Sequence, residues 1–412
     1  MTCPGPGRFA NRPYPTRMLA CAFAAMLCGA PVGACTDAAP IPERSPQAAS
    51  APAPSVQTVP PSRLTIRESR FYAGDTPFDW RGISAFALVE QIAHGRESDA
   101  AAYLDWAARN QLTVVRVLTM ARHLFTLSPE EGRTALPRLL EMASTRGLYV
   151  EVVALADTAA IPVELDGHVK AIGTIAAEHA NALIEIANEP GHRTQHPDVH
   201  DAGRLKALAA FVPDEVLVAL GSAEYGSDFA GGDYATFHFR RDPRADGWGH
   251  VLRLAEGAKL VSRWRKPVVS DEPIGAGPRF VAGRRDNEPA RFGAAALLTR
   301  LAGMYPTFHY EGGLLAKIPS GPELEALQAW LHGLRTAEGV PLKGTEFVQG
   351  EHVSAIARST GARAAFARVG KQEAWLLLVD PRPQASAEWT AGWRQDGRWE
   401  APGARLLRGR RD

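Results

Sequence analysis

Two segments of the chain end in a glutamate that follows a short apolar run. Residues 184–190 read Ile-Glu-Ile-Ala-Asn-Glu-Pro, and residues 266–273, about eighty positions later, read Lys-Pro-Val-Val-Ser-Asp-Glu-Pro. β-Branched residues favour strands, and proline ends a strand because it has no amide hydrogen to donate. Glu189 and Glu272 are therefore predicted at the ends of two strands, and the carboxyl edge of a parallel sheet brings such ends to one cleft. Paired carboxylates in one cleft are suited to the hydrolysis of glycosidic bonds.

The acid beside the second glutamate is not expected to share its work. Neighbouring side chains of a strand point to opposite faces, so Asp271 and Glu272 should not face the same cleft. We therefore predict that Glu272 is the partner of Glu189. A single Asn-Glu-Pro is also compatible with an ordinary turn, and it is the second strand-end glutamate that favours catalysis.

Apolar runs alternate with segments of helical periodicity from about residue 64 to residue 336. Most neighbouring runs are about 33–38 residues apart, which is the repeat of a β/α unit with long loops. The interval between the fifth and sixth runs is only about 18 residues, rich in glycine, and has no room for a full helix. The predicted strands cover residues 78–84, 112–118, 148–155, 183–189, 216–220, 236–238, 267–272 and 305–310.

Seven helices are predicted around these strands. Ser128-Pro129-Glu130-Glu131 has the pattern of a capping box with proline at the first helical position. Eight such units favour an α/β protein with a closed (β/α)8 TIM barrel over a flavodoxin-like open sheet, which is the competing architecture. The predicted helices cover residues 97–110, 128–146, 163–180, 198–211, 249–265, 287–302 and 321–336.

The pattern changes after about residue 340 to short runs with a period of two. Runs at 353–357, 364–368 and 374–379, separated by Gly, Asp and Pro, predict a small antiparallel β-domain. We place the barrel at residues 63–338 and this C-terminal β-domain at 339–412. Trp389, Trp393 and Trp399 are either a platform for sugar rings or part of the core of this domain, and we expect core packing.

The first 35 residues have the features of an export signal. Arg8, Arg12 and Arg17 precede an apolar stretch of about 13 residues, which is too short to span a bilayer permanently. Residues 32–35 read Val-Gly-Ala-Cys and resemble a bacterial lipobox, in which the cysteine becomes the lipidated first residue of the mature protein. The resemblance implies a lipoprotein anchored at Cys35 in the periplasm, at the outer membrane or at the cell surface. The alternative is cleavage near Ala34 and a free periplasmic or secreted protein.

Residues 36–62 are rich in Ala, Pro, Ser and Gln and predict a disordered tether, because such a stretch buries too little apolar surface to offset its ordering entropy.

Composition also excludes several classes of function. The formal net charge is +1, from 46 Lys and Arg against 45 Asp and Glu, so no nucleic-acid partner is expected. All four cysteines lie within the first 35 residues, which excludes disulfides and thiolate metal sites from the folded part.

With glutamates ending its fourth and seventh strands, the chain resembles the clan A retaining glycoside hydrolases, which include the family five cellulases. The resemblance covers about residues 64–336, and residues 184–190 carry its most specific part. It implies that Glu189 is the acid/base and Glu272 the nucleophile. It also implies that Asn188 binds the substrate 2-hydroxyl, that Arg116 lies against the nucleophile at the end of strand two, and that His238 occupies the clan's position on strand six.

The roles assigned by this resemblance set electrostatic requirements. Retention needs two carboxyl groups ~5–5.5 Å apart, one protonated and one ionised. Burial and its charged partner are expected to raise the pKa of the acid, and Arg116 is expected to favour the ionised nucleophile. Arg116 and His238 each have a structural alternative, as a buried ion pair and as a hydrogen-bonded core histidine.

Three further residues are candidates for the wall of the cleft. Trp80 and Tyr310 are predicted either to stack on sugar rings or to be packing residues, and His309 either lines the cleft or closes the barrel. The chain departs from family five cellulases in two places: its third strand lacks a histidine, and the eighth strand has His309-Tyr310 where many members have tryptophan. Both departures weigh against a cellulase specificity.

We therefore predict a retaining glycoside hydrolase that cleaves a β-linked oligosaccharide or polysaccharide by double displacement. The mechanism implies no metal and no organic cofactor. The expected partners are the carbohydrate substrate and, through the lipid anchor alone, a membrane; the protein is expected to be a monomer. The alternative is a surface lipoprotein that binds glycans through a barrel without catalysis, and a third hypothesis is a transglycosylase that remodels the cell envelope.

Overall fold

The computed structural model describes residues 61–240, 247–281, 284–286 and 288–411, which belong to one compact unit. The unit begins with a small antiparallel sheet of β1 (Leu64–Arg67), β2 (Arg70–Ala73) and β3 (Thr76–Pro77). Phe71 of this sheet is buried, and its ring lies 5.3 Å from that of Trp80. The sheet therefore closes the amino-terminal end of the structure that follows.

Eight parallel strands form a nearly closed barrel, as the sequence predicts. The eighth barrel strand pairs with both the first and the seventh, so the first and eighth strands meet, and the open-sheet alternative is wrong. The fifth and sixth strands are joined by the single bridge between Ser222 and Thr236. The barrel strands are β4 (Gly82–Ser84), β5 (Val114–Leu118), β6 (Tyr149–Leu155), β7 (Ala182–Ala187), β8 (Val218–Gly221), β9 (Ala235–His238), β10 (Val268–Glu272) and β13 (Tyr305–Tyr310).

Helices cover the outside of the barrel. The capping box at Ser128 forms, since its hydroxyl accepts from the Glu131 amide at 3.2 Å and the Glu131 carboxylate accepts from the Ser128 amide at 2.8 Å. The predicted helix at 249–265 is broken by a 3₁₀ turn at Leu254–Glu256. The helices are α1 (Leu88–Ala93), α2 (Glu97–Arg109), α3 (Pro129–Ser144), α4 (Leu165–Ala177), α5 (Ala202–Ala209), α6 (Gly247–Arg253), α7 (Gly257–Trp264), α8 (Pro289–Leu301) and α9 (Gly321–Ala337).

Two connections at the carboxyl ends of the strands differ from the regular β/α repeat. Between β8 and β9 there are only two 3₁₀ turns, Ala223–Tyr225 and Ser227–Gly231, which confirms that this interval has no room for a helix. After β10, an unpredicted hairpin of β11 (Gly275–Val281) and β12 (Arg284–Asp286) is inserted, and β11 continues the pairing along β13.

The interior of the barrel is layered. Near its amino-terminal end the inward side chains are apolar, including Val114, Leu183 and Val269, and they pack with Trp80. Side chains two residues apart on a strand share a face, so the next inward side chain lies two residues further along each strand. At this second level the inward side chains are charged or polar. This second layer contains Arg116, Glu151, Glu185, Thr236 and Asp271, all fully buried.

The C-terminal part forms a separate antiparallel sheet, as predicted. One segment differs: the run at 353–357 was predicted as a strand, but its first two residues belong to the helical turn α10 (Glu351–Ser354). Only Ala357 of this run lies in a strand, and Val353 and Ala357 are both buried. The sheet order is β14 (Glu346–Gln349), β16 (Ala364–Val369), β17 (Glu373–Val379), β20 (Ala404–Arg411) and β19 (Trp393–Ala401), and β15 (Ala357–Thr360) pairs with β18 (Ser386–Trp389).

The tryptophans of this sheet divide between core and surface. Trp393 is buried, whereas 37% of Trp399 is exposed. The ring of Trp399 lies 5.1 Å from that of Trp375.

In the part of the chain that the structure describes, no helix combines the length and apolar character needed to cross a bilayer.

Candidate active site

The first glutamate lies on a tight turn at the carboxyl end of β7. Glu189 adopts φ +40°, in the left-handed region that non-glycine residues seldom occupy. The turn packs against Gly221 at the end of β8, where a Cβ atom would lie 2.5 Å from the carbonyl oxygen of Ala187 and 3.0 Å from Pro190. A glycine on β8 therefore leaves the space in which the Asn-Glu-Pro turn is formed, and 31% of the Glu189 side chain is exposed there.

The second glutamate reaches the interior through an irregularity in β10. Val269 pairs with Thr236 and Glu272 pairs with His238, so three steps along β10 match two steps along β9. An extra residue of this kind is a β-bulge, and it changes the face on which the following side chain lies. Asp271 and Glu272 both lie near Arg116, at 3.8 Å and 3.7 Å, so the prediction that they face opposite sides is wrong.

The imidazole of His238 lies between the two glutamates. Its Nδ1 is 3.8 Å from Oε1 of Glu189 and 3.9 Å from Oε1 of Glu272, and its Nε2 is 3.6 Å from Oδ2 of Asp271. The His238 amide donates to the Ser222 hydroxyl at 3.0 Å, which fixes the end of β9. Two carboxylates from strands four and seven therefore contact the same ring nitrogen.

Arg116 supplies positive charge to the interior of the barrel. Its guanidinium donates to Glu185 at 2.6 and 3.0 Å and to the side-chain oxygen of Asn188 at 3.0 Å. The carboxylate of Glu151 lies 3.9 Å from the same guanidinium. A buried cation costs several kcal/mol of desolvation unless it is well paired, so this layer of acids and Arg116 must fold as a unit.

Burial and mutual repulsion oppose the ionisation of the acids deepest in this layer. The pKa of Glu151 is raised well above its ordinary value by burial and by the charges of Asp271 and Glu185. Burial also raises the pKa of Glu185, although Arg116 opposes the rise. Each accepts a further hydrogen bond, from the Tyr234 hydroxyl at 3.0 Å and from the Thr236 hydroxyl at 2.9 Å, respectively.

His309 approaches the second glutamate from β13. Its Nε2 lies 3.5 Å from Oε2 of Glu272, and its Nδ1 is 2.9 Å from the hydroxyl of Ser84. The structure thus brings together six of the residues predicted for the site: Glu189, Glu272, Asn188, Arg116, His238 and His309.

Protonation around His238 differs from the expectation. Burial alone would lower the pKa of His238, but Glu272 and the contacts with Asp271 and Glu189 raise it well above its ordinary value. Burial would raise the pKa of Glu189, but contact with His238 and its charge lower it below the ordinary value. In the free protein the acid/base candidate therefore has a lowered pKa, whereas a raised one was expected.

Two predicted aromatic residues lie away from the cleft. Trp80 is fully buried at the opposite, amino-terminal end, where its indole donates to Thr307 at 3.2 Å. Tyr310 is fully buried on the outer face of β13, and its hydroxyl lies 2.9 Å from that of Tyr103 on α2. Neither is placed to contact a sugar at the barrel mouth, so their assignment to sugar binding is wrong and both are packing residues. The lipidation candidate Cys35 lies outside the described residues.

Sequence reasoning missed one acidic residue beside the pair. Glu224 follows β8 on the first 3₁₀ turn, and burial together with the charges of Glu189 and Glu272 raises its pKa, although His238 opposes the rise. Its neighbour Tyr225 lies against the Asn-Glu-Pro turn, since a Cβ atom on Gly191 would come within 2.2 Å of its ring. The glycine-rich sequence of this interval carried no strand or helix pattern that would have marked Glu224.

Three side chains of the interior lie close enough to surround a cation. Ligand atoms of Glu185, His238 and Asp271 all lie within 4.8 Å of one another. The guanidinium of Arg116, however, already donates to Glu185 at 2.6 Å and supplies positive charge to the same acids. The arrangement is therefore explained as a charge-compensated network of protein groups.

Comparison with known proteins shows a likeness in fold. No protein-family model matches the chain, and no curated protein matches its sequence. A solved structure described as a glycoside hydrolase is 14% identical, with a TM-score of 0.56 over 85% of this chain and 97% of its own. A glycoside hydrolase family 5 protein from Bacteroides vulgatus ATCC 8482 is 12% identical, with a TM-score of 0.57 over 85% and 93% of the two chains. The chain thus shares the barrel fold of glycoside hydrolases.

Proposed function

We propose that the protein is a retaining glycoside hydrolase that cleaves β-linked oligosaccharides or polysaccharides. The observation that carries the proposal is the contact of Glu189 and Glu272 with one ring nitrogen of His238 at the carboxyl end of the barrel. The shared fold of glycoside hydrolases supports it. Two carboxylates that both approach one nitrogen lie near each other, as a pair that acts on one glycosidic bond must.

Glu272 is the better candidate for the nucleophile. It is largely buried, and it lies 3.7 Å from Arg116, 3.5 Å from His309 and 3.9 Å from His238. Three basic groups favour its ionised form. In the first step a carboxylate oxygen of Glu272 bonds to the anomeric carbon, the glycosidic C–O bond breaks, and the leaving oxygen takes the proton of Glu189.

Glu189 is more exposed and is the candidate for the acid/base. In the second step its carboxylate removes a proton from water, the water oxygen bonds to the anomeric carbon, and the ester bond to Glu272 breaks. Because the neighbouring imidazolium lowers the pKa of Glu189, we expect the acid form to be populated on the acidic side of neutrality. The optimum of turnover is therefore expected below pH 7.

Asn188 is oriented for the role assigned to it. Its side-chain oxygen accepts from Arg116 at 3.0 Å, which fixes the amide plane and leaves its N–H groups as donors. A donor beside Glu189 is suited to hold a hydroxyl of the sugar whose bond is cleaved.

We further propose that the protein is exported and held at a membrane through lipidated Cys35, acting as a monomer on its carbohydrate substrate. The sequence of residues 32–35 supports this. Metabolic labelling with a palmitate analogue tests it: the label is expected in the wild type and absent from Cys35→Ser, and an unlabelled wild type would favour release by cleavage near Ala34.

The function is tested with a panel of fluorogenic glycosides and the variants Glu189→Gln and Glu272→Gln. Each is expected to lower kcat/KM on unactivated substrates by about 10²–10⁴-fold, the usual contribution of such groups. Exposed Glu178→Gln is the control and should keep wild-type activity. A fluoro-sugar inhibitor is expected to label Glu272 covalently, as detected by mass spectrometry of peptides.

The same experiment separates the alternatives. Full activity in either active-site variant contradicts the assignment. Saturable binding of a glycan by a wild type that turns over no substrate favours a glycan-binding protein instead. Transfer of the sugar to an added acceptor, with little free reducing sugar, favours transglycosylation.

A further inference from the structure

Asp271 is an acid at the centre of the barrel that the catalytic cycle does not use. It is fully buried, and neither of its carboxylate oxygens accepts a hydrogen bond from the described residues. Its nearest basic groups are Nε2 of His238 at 3.6 Å and Nε of Arg116 at 3.8 Å. A buried carboxylate is costly unless basic groups compensate its charge, and these two are the basic groups nearest to it.

Arg116 is largely committed elsewhere. Its Nε and Nη2 atoms donate to Glu185 and Asn188 at 2.6–3.0 Å, well inside its distance to Asp271. His238 has no such commitment, since neither ring nitrogen makes a hydrogen bond to the described residues. The imidazole is thus the group whose charge Asp271 can influence most directly.

The groups around His238 are mostly acidic. Negative charge faces its ring from β7, β10 and the turn after β8, and a single guanidinium faces it from β5. The groups are Glu185, Glu189, Glu224, Asp271, Glu272 and Arg116. Of these, Asp271 alone lies on the Nε2 side at ion-pair distance, opposite the two glutamates on the Nδ1 side.

We propose that Asp271 is a positioning residue that holds His238 in its cationic form, with Nδ1 directed between Glu189 and Glu272. This inference rests on the proposed function and deepens it. The proton that Glu189 and His238 share resides on His238 in the free protein, because the imidazolium faces carboxylates on both sides. Asp271 thereby sets the pH range in which Glu189 acts, without touching the substrate.

The protonation of His238 is measured by NMR titration of histidine-labelled full-length protein, with the signal assigned through His238→Gln. In the wild type, His238 is expected to stay protonated above the ordinary pH range of histidine. In Asp271→Asn it is expected to lose its proton at least about one pH unit lower. Glu151→Gln, which changes another buried acid of the same layer, should leave the His238 titration unchanged.

Two results overturn the inference: a neutral His238 at pH 7 in the wild type, or an Asp271→Asn titration equal to that of the wild type. The first needs no variant, so the inference stays testable if Asp271→Asn does not fold. The titration also needs no turnover. Failure of the proposed function and failure of this inference are therefore read from separate measurements.

The kinetic consequence is tested by a double-variant cycle. With a neutral His238, the pKa of Glu189 is no longer lowered by the imidazolium, so Asp271→Asn is expected to move the basic limb of kcat/KM to higher pH by about one unit. In a His238→Gln background the same substitution should move the limb no further. An equal shift in both backgrounds means that Asp271 acts by another route, which contradicts the inference.

Discussion

At the scale of residues, the barrel depends on one buried arginine. Arg116 lies among Glu151, Glu185, Asp271 and Glu272, all within 3.9 Å of its guanidinium. A planar guanidinium can donate to several acceptors in fixed directions, which an ammonium group cannot do. Its charge also favours the ionised form of the proposed nucleophile, so we expect folding and the proposed chemistry to depend on the same side chain.

We predict that Arg116→Met lowers the free energy of unfolding by about 3–5 kcal/mol at pH 8, because it leaves buried carboxylates unpaired. The loss should be smaller at pH 5. Burial raises the pKa of Glu185, and Arg116 lowers it. Without Arg116, Glu185 therefore binds its proton more tightly in the folded state than in the unfolded state. The stability of the variant should then fall as the pH rises. Urea denaturation at the two pH values measures the difference.

Arg138→Met is the matched control for this prediction. Arg138 also pairs with two acids, Glu97 and Glu141, but it lies exposed on α3. Exposed ion pairs contribute little, so this variant should unfold like the wild type at both pH values. An equally small effect of Arg116→Met would show that water, and not Arg116, compensates the buried acids.

At the scale of elements, the position of the Asn-Glu-Pro turn, which carries the proposed acid/base Glu189, depends on the contact of β7 with β8. Gly221 has φ +142° and pairs with Ala187, whose carbonyl oxygen lies where a Cβ atom would be. We predict that Gly221→Ala displaces the turn and lowers kcat/KM by about 10²-fold, since small misplacements of catalytic groups have effects of this size.

The control is Gly74→Ala, at φ +58° in the small N-terminal sheet with no atom within 4 Å of the added Cβ. It should cost about 1 kcal/mol of backbone strain and leave kcat/KM unchanged. The prediction is contradicted if a crystal structure of Gly221→Ala shows the turn in its wild-type position, or if kcat/KM is unchanged. Either result would mean that the two strands separate without moving Glu189.

The elements themselves were predictable to different degrees. Buried apolar runs and the capping box gave β5 to β7 and α3 correctly, because these signals are local. The bulge in β10 was not predictable, since it depends on pairing with β9, and it reversed the expectation for Asp271. The β11–β12 hairpin likewise depends on an edge supplied by β13.

The same limit applies to the candidate site. Glu189 and Glu272 were predicted for the site because strand ends are visible in the sequence, whereas Arg116, in the middle of β5, was predicted from the family resemblance. His309 and Tyr310 were both proposed for the cleft, yet neighbours on a strand face opposite sides, and only His309 points to Glu272. Trp80 packs below the barrel with the N-terminal sheet, a tertiary contact that no local pattern indicated.

At the scale of the whole molecule, the C-terminal sheet is joined to the barrel by Arg368. This buried side chain donates to the carbonyl of Leu301 at the end of α8 at 2.5 Å and to those of Leu342 and Thr345 at 3.2 Å. We predict that Arg368→Ala lowers the Tm by several degrees while calorimetry still shows one transition. The substitution removes these hydrogen bonds and a further one to the Thr345 hydroxyl, each worth about 1 kcal/mol or more. Exposed Arg358→Ala on β15 should leave the Tm unchanged. Turnover at 25 °C should persist in both variants, since neither residue contacts the cleft. Two separate transitions in the wild type would show that the sheet folds independently and does not support the barrel.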